Sequence, residues 1–269
     1  MPRLSIVIPA YAEAMYLGAT LATVRAYLVE RGRLDTTELV VVTADAPDGT
    51  AAIARTELRA FPLAQHVEPG PKVGKGRDVR AGMLTATGDI VMFMDADLAT
   101  PLAHVETGVA AIEAGDDIVI GTRELARIHR DLARGLTSRW ANAMIQTLLL
   151  PGFRDTQCGF KLFARRTVRA LFEPLATTGW GFDFEVLARA QMAGFRVREL
   201  LIPDWFDPKG DNGLAGEVQW WARIRTMRDL LKVVARHGRQ RPHFQAAEAD
   251  ATNGSSRVSS PRWVRTSRP

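Results

Sequence analysis

Three short apolar runs constrain this chain more than any other feature: residues 4–8 (LSIVI), 39–42 (LVVV) and 90–94 (IVMFM). None of them alternates apolar with polar residues, so none suits a sheet with one wet face. Continuous β-branched runs of this length form strands covered on both sides. Between them lie stretches of helical spacing at 13–30, 51–58 and 74–86, with a weaker strand at 65–68. Further along, 101–114 opens with proline at the first helical position and leads to a short strand at 118–120. This alternation predicts an α/β fold, a Rossmann-like, mostly parallel sheet flanked by helices. Ligands of such sheets bind beyond the carboxyl ends of the strands.

The second half is less regular. The spacing predicts an apolar helix over 137–150, ended by Pro151-Gly152, a strand at 159–163, a helix over 182–192 and a strand at 195–202. Residues 214–234 carry Trp220, Trp221, Ile224, Met227, Leu230 and Leu231 at amphipathic spacing. With no repeats and no linker, 1–235 reads as one domain followed by a tail, 236–269. That tail holds seven arginines against Glu248 and Asp250, which accounts for the whole net charge of +5. Its Ser, Pro and Ala content reads as a disordered basic segment. Because the remainder is neutral, the charge does not indicate a nucleic-acid partner.

The single cysteine, Cys158, excludes an intramolecular disulfide and fits a reducing compartment. No apolar run approaches the ~18–20 residues of a membrane span, and residues 4–8 are too short for a signal-peptide core. The expectation is a cytoplasmic, non-secreted protein, with peripheral contact at the cytoplasmic membrane face left open.

Asp95-Ala96-Asp97 follows the strand 90–94 directly. Two carboxylates where a buried strand leaves the sheet can converge on one divalent cation, and Mg²⁺ or Mn²⁺ takes such oxygen ligands together with substrate phosphates. The pair could also be a solvated turn. Gly70-Pro-Lys-Val-Gly-Lys-Gly76 lacks the spacing of a P-loop, yet before a helix it offers Lys75, Arg77 and backbone N–H groups to an anion. Asp155-Thr-Gln-Cys-Gly-Phe-Lys161 gathers an acid, an amide and a cation near a glycine; Cys158 has no neighbouring histidine to activate it and reads as a structural thiol. Asp183 and Glu185, in an aromatic cluster, are either active-site carboxylates or a cap and a salt-bridge partner. The five histidines show no metal-ligand spacing.

Taken together, the segments SIVIPAYAE (5–13), ELVVV (38–42), GKG (74–76), DADLATP (95–101), GTR (121–123) and DTQCGFK (155–161) resemble the family 2, inverting, GT-A-fold glycosyltransferases. The similarity covers about residues 4–235 and is greatest to polyprenyl-phosphate sugar transferases, particularly dolichyl-phosphate β-glucosyltransferases. It implies a nucleotide-sugar-binding half, 1–123, and an acceptor-side half, 124–235. It implies hexose transfer from a donor such as UDP-glucose to a polyprenyl phosphate, with Mg²⁺ or Mn²⁺. By position, Pro9, Tyr11 and Glu13 would line the nucleotide pocket, and Asp95, Ala96 and Asp97 would meet the metal and diphosphate. Lys75 and Arg123 would meet phosphate charge, while Asp155, Gln157 and Lys161 would face the sugar or acceptor.

The similarity breaks at Thr43-Ala44-Asp45-Ala46, where relatives carry two acids and Gly-Ser. Asp45, in a shifted position, is the acid left for the nucleobase end, so UDP against GDP stays open. A phosphate acceptor is largely dianionic near neutral pH, with a second pKa of about 6, and needs no general base. Asp155 is then expected to orient groups, with Lys75, Arg77, Arg123, Arg134, Arg139 and Lys161 available as cations. The helices at 137–150 and 214–234 suit either interfacial contact or ordinary core packing. A soluble hydroxyl acceptor, a nucleotidylyltransferase and a non-catalytic sugar-nucleotide-binding protein are the alternatives.

Overall fold

A computed structural model describes residues 2–123, 150, 152–153, 155–206, 216–237, 245–246 and 263–264. The expected helix at 137–150, together with Arg134 and Arg139, falls outside the described residues apart from Leu150, which is buried.

The strands are β1 (Leu4–Ala10), β2 (Thr37–Thr43), β3 (Ala64–Val67), β4 (Ile90–Met94), β5 (Ile118–Arg123), β6 (Phe160–Ala164) and β7 (Val197–Ile202). They form one sheet in the order β3-β2-β1-β4-β6-β5-β7. Pairing is parallel from β3 through β4 and between β5 and β7. β6 alone runs antiparallel, inserted between β4 and β5. The helices are α1 (Ala14–Glu30), α2 (Thr50–Glu57), α3 (Lys75–Thr85), α4 (His104–Glu113), α5 (Arg165–Phe172), α6 (Phe182–Met192) and α7 (Gly216–His237). In the tail, β8 (Gln245–Ala246) pairs with β9 (Trp263–Val264).

Successive side chains of a strand point to opposite faces, and here each face has its own core. Ile6, Ile8, Met92, Met94 and Leu162 pack against α1, α2 and α4. Val7, Val91, Phe93, Ile118 and Phe163 pack against α3, α5, α6 and α7. This three-layer arrangement is why the strands read as continuous apolar runs. Two features differ from the sequence expectation. α5 has no capping side chain and three arginines in eight residues, so its Val168, Leu171 and Phe172 stripe is too short to stand out. α7 runs through position 235 to His237, which approaches Glu185 at 3.7 Å.

Candidate active site

The carboxyl ends of β1, β2 and β4 lie side by side at one sheet edge, where the sequence gathers its charged motifs. Ala12, just past β1, and Leu98, just past β4, both sit in the left-handed backbone region, with φ of 55° and 54°. For a residue with a Cβ this costs roughly 1–2 kcal/mol, and such strain gathers at functional sites.

Asp95 leaves β4 with its N–H donating to the Gly159 carbonyl (3.2 Å). Its carboxylate accepts from Lys75 Nζ at 2.5 Å. Gly159 is required by this geometry, because a Cβ there would stand 2.0 Å from Asp95 Oδ2. Asp97 accepts from the Ala99 N–H (3.2 Å), which closes a short turn around the strained Leu98. Ala96 is buried, and its carbonyl accepts from Thr20 Oγ1 (2.5 Å), fastening the turn to α1. Met94, Asp95, Leu98, Ala99, Thr100 and Gly159 line a pocket at this point.

Lys75 opens α3, with its ammonium 5.4 Å from the Phe93 ring and 4.6 Å from the Trp180 ring. Arg77, expected to serve anions, is instead occupied by its own turn. It donates to Asp78 (2.9 Å) and to the carbonyls of Pro69 (3.2 Å) and Gly70 (3.3 Å). On the β1–β2 side, Pro9 lies within β1, and the Tyr11 ring carries Lys72 Nζ at 3.7 Å. The Glu13 carbonyl accepts from Leu17 N–H at the start of α1, and its N–H donates to Thr50 Oγ1 (3.0 Å). Asp45 is exposed beyond β2, tied by its N–H to the Gly70 carbonyl (3.1 Å). Thr43, the first residue of the segment where the sequence resemblance breaks, is buried and bonds His66 Nε2 at 2.8 Å. Burial holds the His66 imidazole below its ordinary pKa, against the opposing pull of Glu68.

The acceptor-side candidates are engaged with one another. Arg123, at the end of β5, forks onto Asp155 through Nε (2.5 Å) and Nη2 (2.9 Å), and its backbone N–H reaches the same carboxylate at 3.2 Å. The Gln157 N–H adds a fourth bond (3.1 Å), while its residue is exposed. Burial pushes the Asp155 pKa up, but the guanidinium bonds prevail and hold it below the usual carboxylate range. The Trp205 ring covers the guanidinium at 5.1 Å. Lys161 is buried opposite Phe93 in the β4–β6 register, donating to the Cys158 carbonyl (2.6 Å) and pairing with Asp183 (2.7 Å). Desolvation raises the Asp183 pKa, opposed by Lys161 and reinforced by the Asp95 charge. Cys158 is a buried free thiol whose pKa burial also raises.

Asp95, Asp97 and Lys75 therefore meet at one edge, and Asp155, Gln157 and Arg123 form a second cluster. Glu185 is a structural carboxylate, accepting from the Thr177 N–H (2.8 Å) and from Arg189. Sequence reasoning missed Lys72, Trp180 and Trp205. Only the placement of Trp180 between two glycines signalled a specially shaped turn.

Residues 5–172 match Glycosyl transferase family 2. The chain belongs to this family. Similar proteins include Glycosyltransferase AglD of Haloferax volcanii, 32% identical over 85% of this chain and 35% of that protein. The chain thus spans about a third of that relative's length. The Dolichyl-phosphate beta-glucosyltransferase of Dictyostelium discoideum is 30% identical over 77% of this chain and 67% of that one. Among solved structures, mannosyl-3-phosphoglycerate synthase from Rubrobacter xylanophilus superposes with a TM-score of 0.65 at 17% identity, covering 98% and 87% of the two chains. Glucosyl-3-phosphoglycerate synthase from Mycobacterium tuberculosis, in complex with Mn2+, UDP-glucose and glycerol 3-phosphate, reaches 0.61 at 19% identity over 87% and 80%. These likenesses show the fold. The protein is a family 2 glycosyltransferase with the expected α/β sheet.

Proposed function

We propose that this glycosyltransferase moves a hexose, glucose, with inversion from UDP-glucose to a polyprenyl phosphate, using Mg²⁺ or Mn²⁺. The observation that carries the reading is the strand-end turn holding Asp95 and Asp97 beside Lys75. The relatives named dolichyl-phosphate beta-glucosyltransferases support the sugar and the acceptor. The solved structure with Mn2+ and UDP-glucose supports the metal and the donor.

The residues fit a divalent cation. Asp95 and Asp97 offer hard oxygen donors two residues apart on a strained turn, and the missing side chain of Gly159 lets the Asp95 carboxylate lie against the backbone leading into β6. A cation held there would neutralise charge growing on the departing diphosphate. Lys75, shared between Asp95 and the Trp180 ring, is positioned to add a second positive charge at the same edge. Tyr11, Lys72 and Asp45 stand at the β1–β2 end, where the nucleoside would lie.

A phosphate acceptor brings its own nucleophilic oxygen. Asp155 fits that economy, because both its oxygens accept hydrogen bonds and its pKa is held low. It is proposed to fix Arg123 through its two guanidinium bonds, with the Trp205 ring 5.1 Å from the guanidinium carbon. Lys161 is proposed to act from below, holding Asp183 and the Cys158 carbonyl so that Gly159 meets Asp95. Among the described residues no helix is long and apolar enough to cross a membrane. The meeting with a lipid acceptor is proposed to take place at the cytoplasmic membrane face, with peripheral contact.

The test is a donor screen of UDP- and GDP-sugars with purified protein, with and without Mn²⁺ or Mg²⁺, against a polyprenyl phosphate and soluble acceptors. Metal-dependent glucosylation of the lipid is the expected result. Turnover in a chelator overturns the metal assignment, and products on soluble acceptors alone overturn the lipid assignment.

A further inference from the structure

Trp180 is exposed over 53% of its surface. Single exposed aromatics are common on protein surfaces; what distinguishes this one is the turn that carries it. Thr177 N–H is tied to the buried Glu185 at 2.8 Å, and the Thr178 carbonyl accepts from the Arg77 N–H, in the first turn of α3, at 3.2 Å. On the other side, Asp229 of α7 fits against Gly179 and Gly181, where added Cβ atoms would stand 2.3 Å from Asp229 Oδ2 and 2.5 Å from its Cβ. The turn is thus held by α3, α6 and α7 at once, while the side chain it presents is left in solvent.

The indole meets the site through Lys75, whose Nζ lies 4.6 Å from the ring and 2.5 Å from Asp95 Oδ1. Its position along the sheet edge is also defined. Phe182 packs edge-on to Phe93 at 5.8 Å and Asp183 pairs with Lys161, so the turn leading into α6 stands over the β4–β6 side. Tyr11, Lys72 and Asp45 occupy the β1–β2 side. A donor whose diphosphate meets Asp95 and Lys75, with its nucleoside toward Tyr11, directs its sugar toward Trp180.

We infer that Trp180 is a binding platform for the transferred hexose, an inference that rests on the reading of the site as a nucleotide-sugar site. A pyranose presents an apolar C–H face, and an aromatic face is electron-rich and apolar, so the two surfaces match. The same face that attracts the Lys75 ammonium favours partial positive charge, which builds on the anomeric carbon during glycosyl transfer.

The test compares binding of UDP-glucose and UDP, each with Mn²⁺, by calorimetry in the native protein, Trp180→Ala and Trp180→Phe. In Trp180→Ala the Kd for UDP-glucose is expected to rise about tenfold, which corresponds to losing an aromatic contact of about 1.4 kcal/mol. UDP binding is expected to stay near the native value, and Trp180→Phe to recover most of the loss. Equal weakening of both ligands overturns the inference, since Trp180 would then act only by holding Lys75. Unchanged UDP-glucose binding with a raised KM for polyprenyl phosphate overturns it too, by placing the indole on the acceptor. A native protein that binds UDP but does not distinguish UDP-glucose from it leaves no hexose contact to assign, and overturns the platform alone. A native protein that binds no nucleotide or nucleotide sugar overturns the functional reading itself, before any variant is compared.

Discussion

The two halves of the sheet edge use charge differently. At the end of β4, the Lys75 and Asp95 side chains keep 19% and 28% exposure, on short segments beside a strained turn. Across β6, the Lys161–Asp183 pair is almost sealed, at 1% and 9%, and Asp155 is at 4% beneath Arg123. An accessible pair is worth little to stability and can trade partners with a ligand. A buried pair cannot lose one member without leaving an uncompensated charge, so it fixes geometry. The lesson is that a shared stock of acids and bases divides into groups that exchange partners and groups that brace them.

The largest effect should come from the exchanging side. Asp97→Ala is expected to lower kcat about 10³-fold, the scale of removing a principal electrostatic contact. Its thermal unfolding should stay near the native value; a comparable loss of stability would show that this carboxylate braces the fold after all. Gly159→Ala tests the seam between the halves. A methyl group 2.0 Å from Asp95 Oδ2 must displace the carboxylate, and a shift of about 1 Å is expected to cost about 10²-fold in activity. Full activity would mean that Asp95 takes its working position without the close backing of Gly159.

Asp155→Asn probes the bracing side through stability. Because its pKa is lowered in the folded protein, Asp155 contributes stability above the unfolded carboxylate value of about 4 and loses it as pH falls through the folded value. The variant should be less stable by about 3–5 kcal/mol at pH 7, as for a broken buried pair. Chemical denaturation at pH 7 and again below pH 4 should show the gap narrowing in acid. A gap that does not depend on pH would refute the ion-pair account.

Much of this was legible in the sequence. The strands at 4–8, 39–42 and 90–94 were apparent because both faces are covered, which removes polar alternation. The setting of Asp95 and Asp97 followed from the rule that strand ends carry ligands. What periodicity cannot show is which charges find each other. Arg123 and Asp155 are separated by 32 residues, and nothing in their local sequence says that each takes the other. Lys161 stands in the apolar run Phe160–Ala164, and only its cross-strand register with Phe93 shows that it points into the core. The β2 end was read through an absent acid, whereas the structure shows Thr43 engaged with His66 across to β3.

The antiparallel strand β6 has a consequence for how the molecule is made. During synthesis β4 emerges early, but its neighbour on that side is β6, and β5, although made first, joins the sheet only through β6. Until residue 164 has left the ribosome, one edge of the nascent sheet stays open, a long-range closure of the kind that slows folding and invites aggregation. Gly159, immediately before β6, reaches Asp95 only when that closure is complete. Assembly of the edge that carries Asp95 is thus coupled to the β4–β6 pairing, so a half-built chain carries the acidic pair without the backing that shapes it.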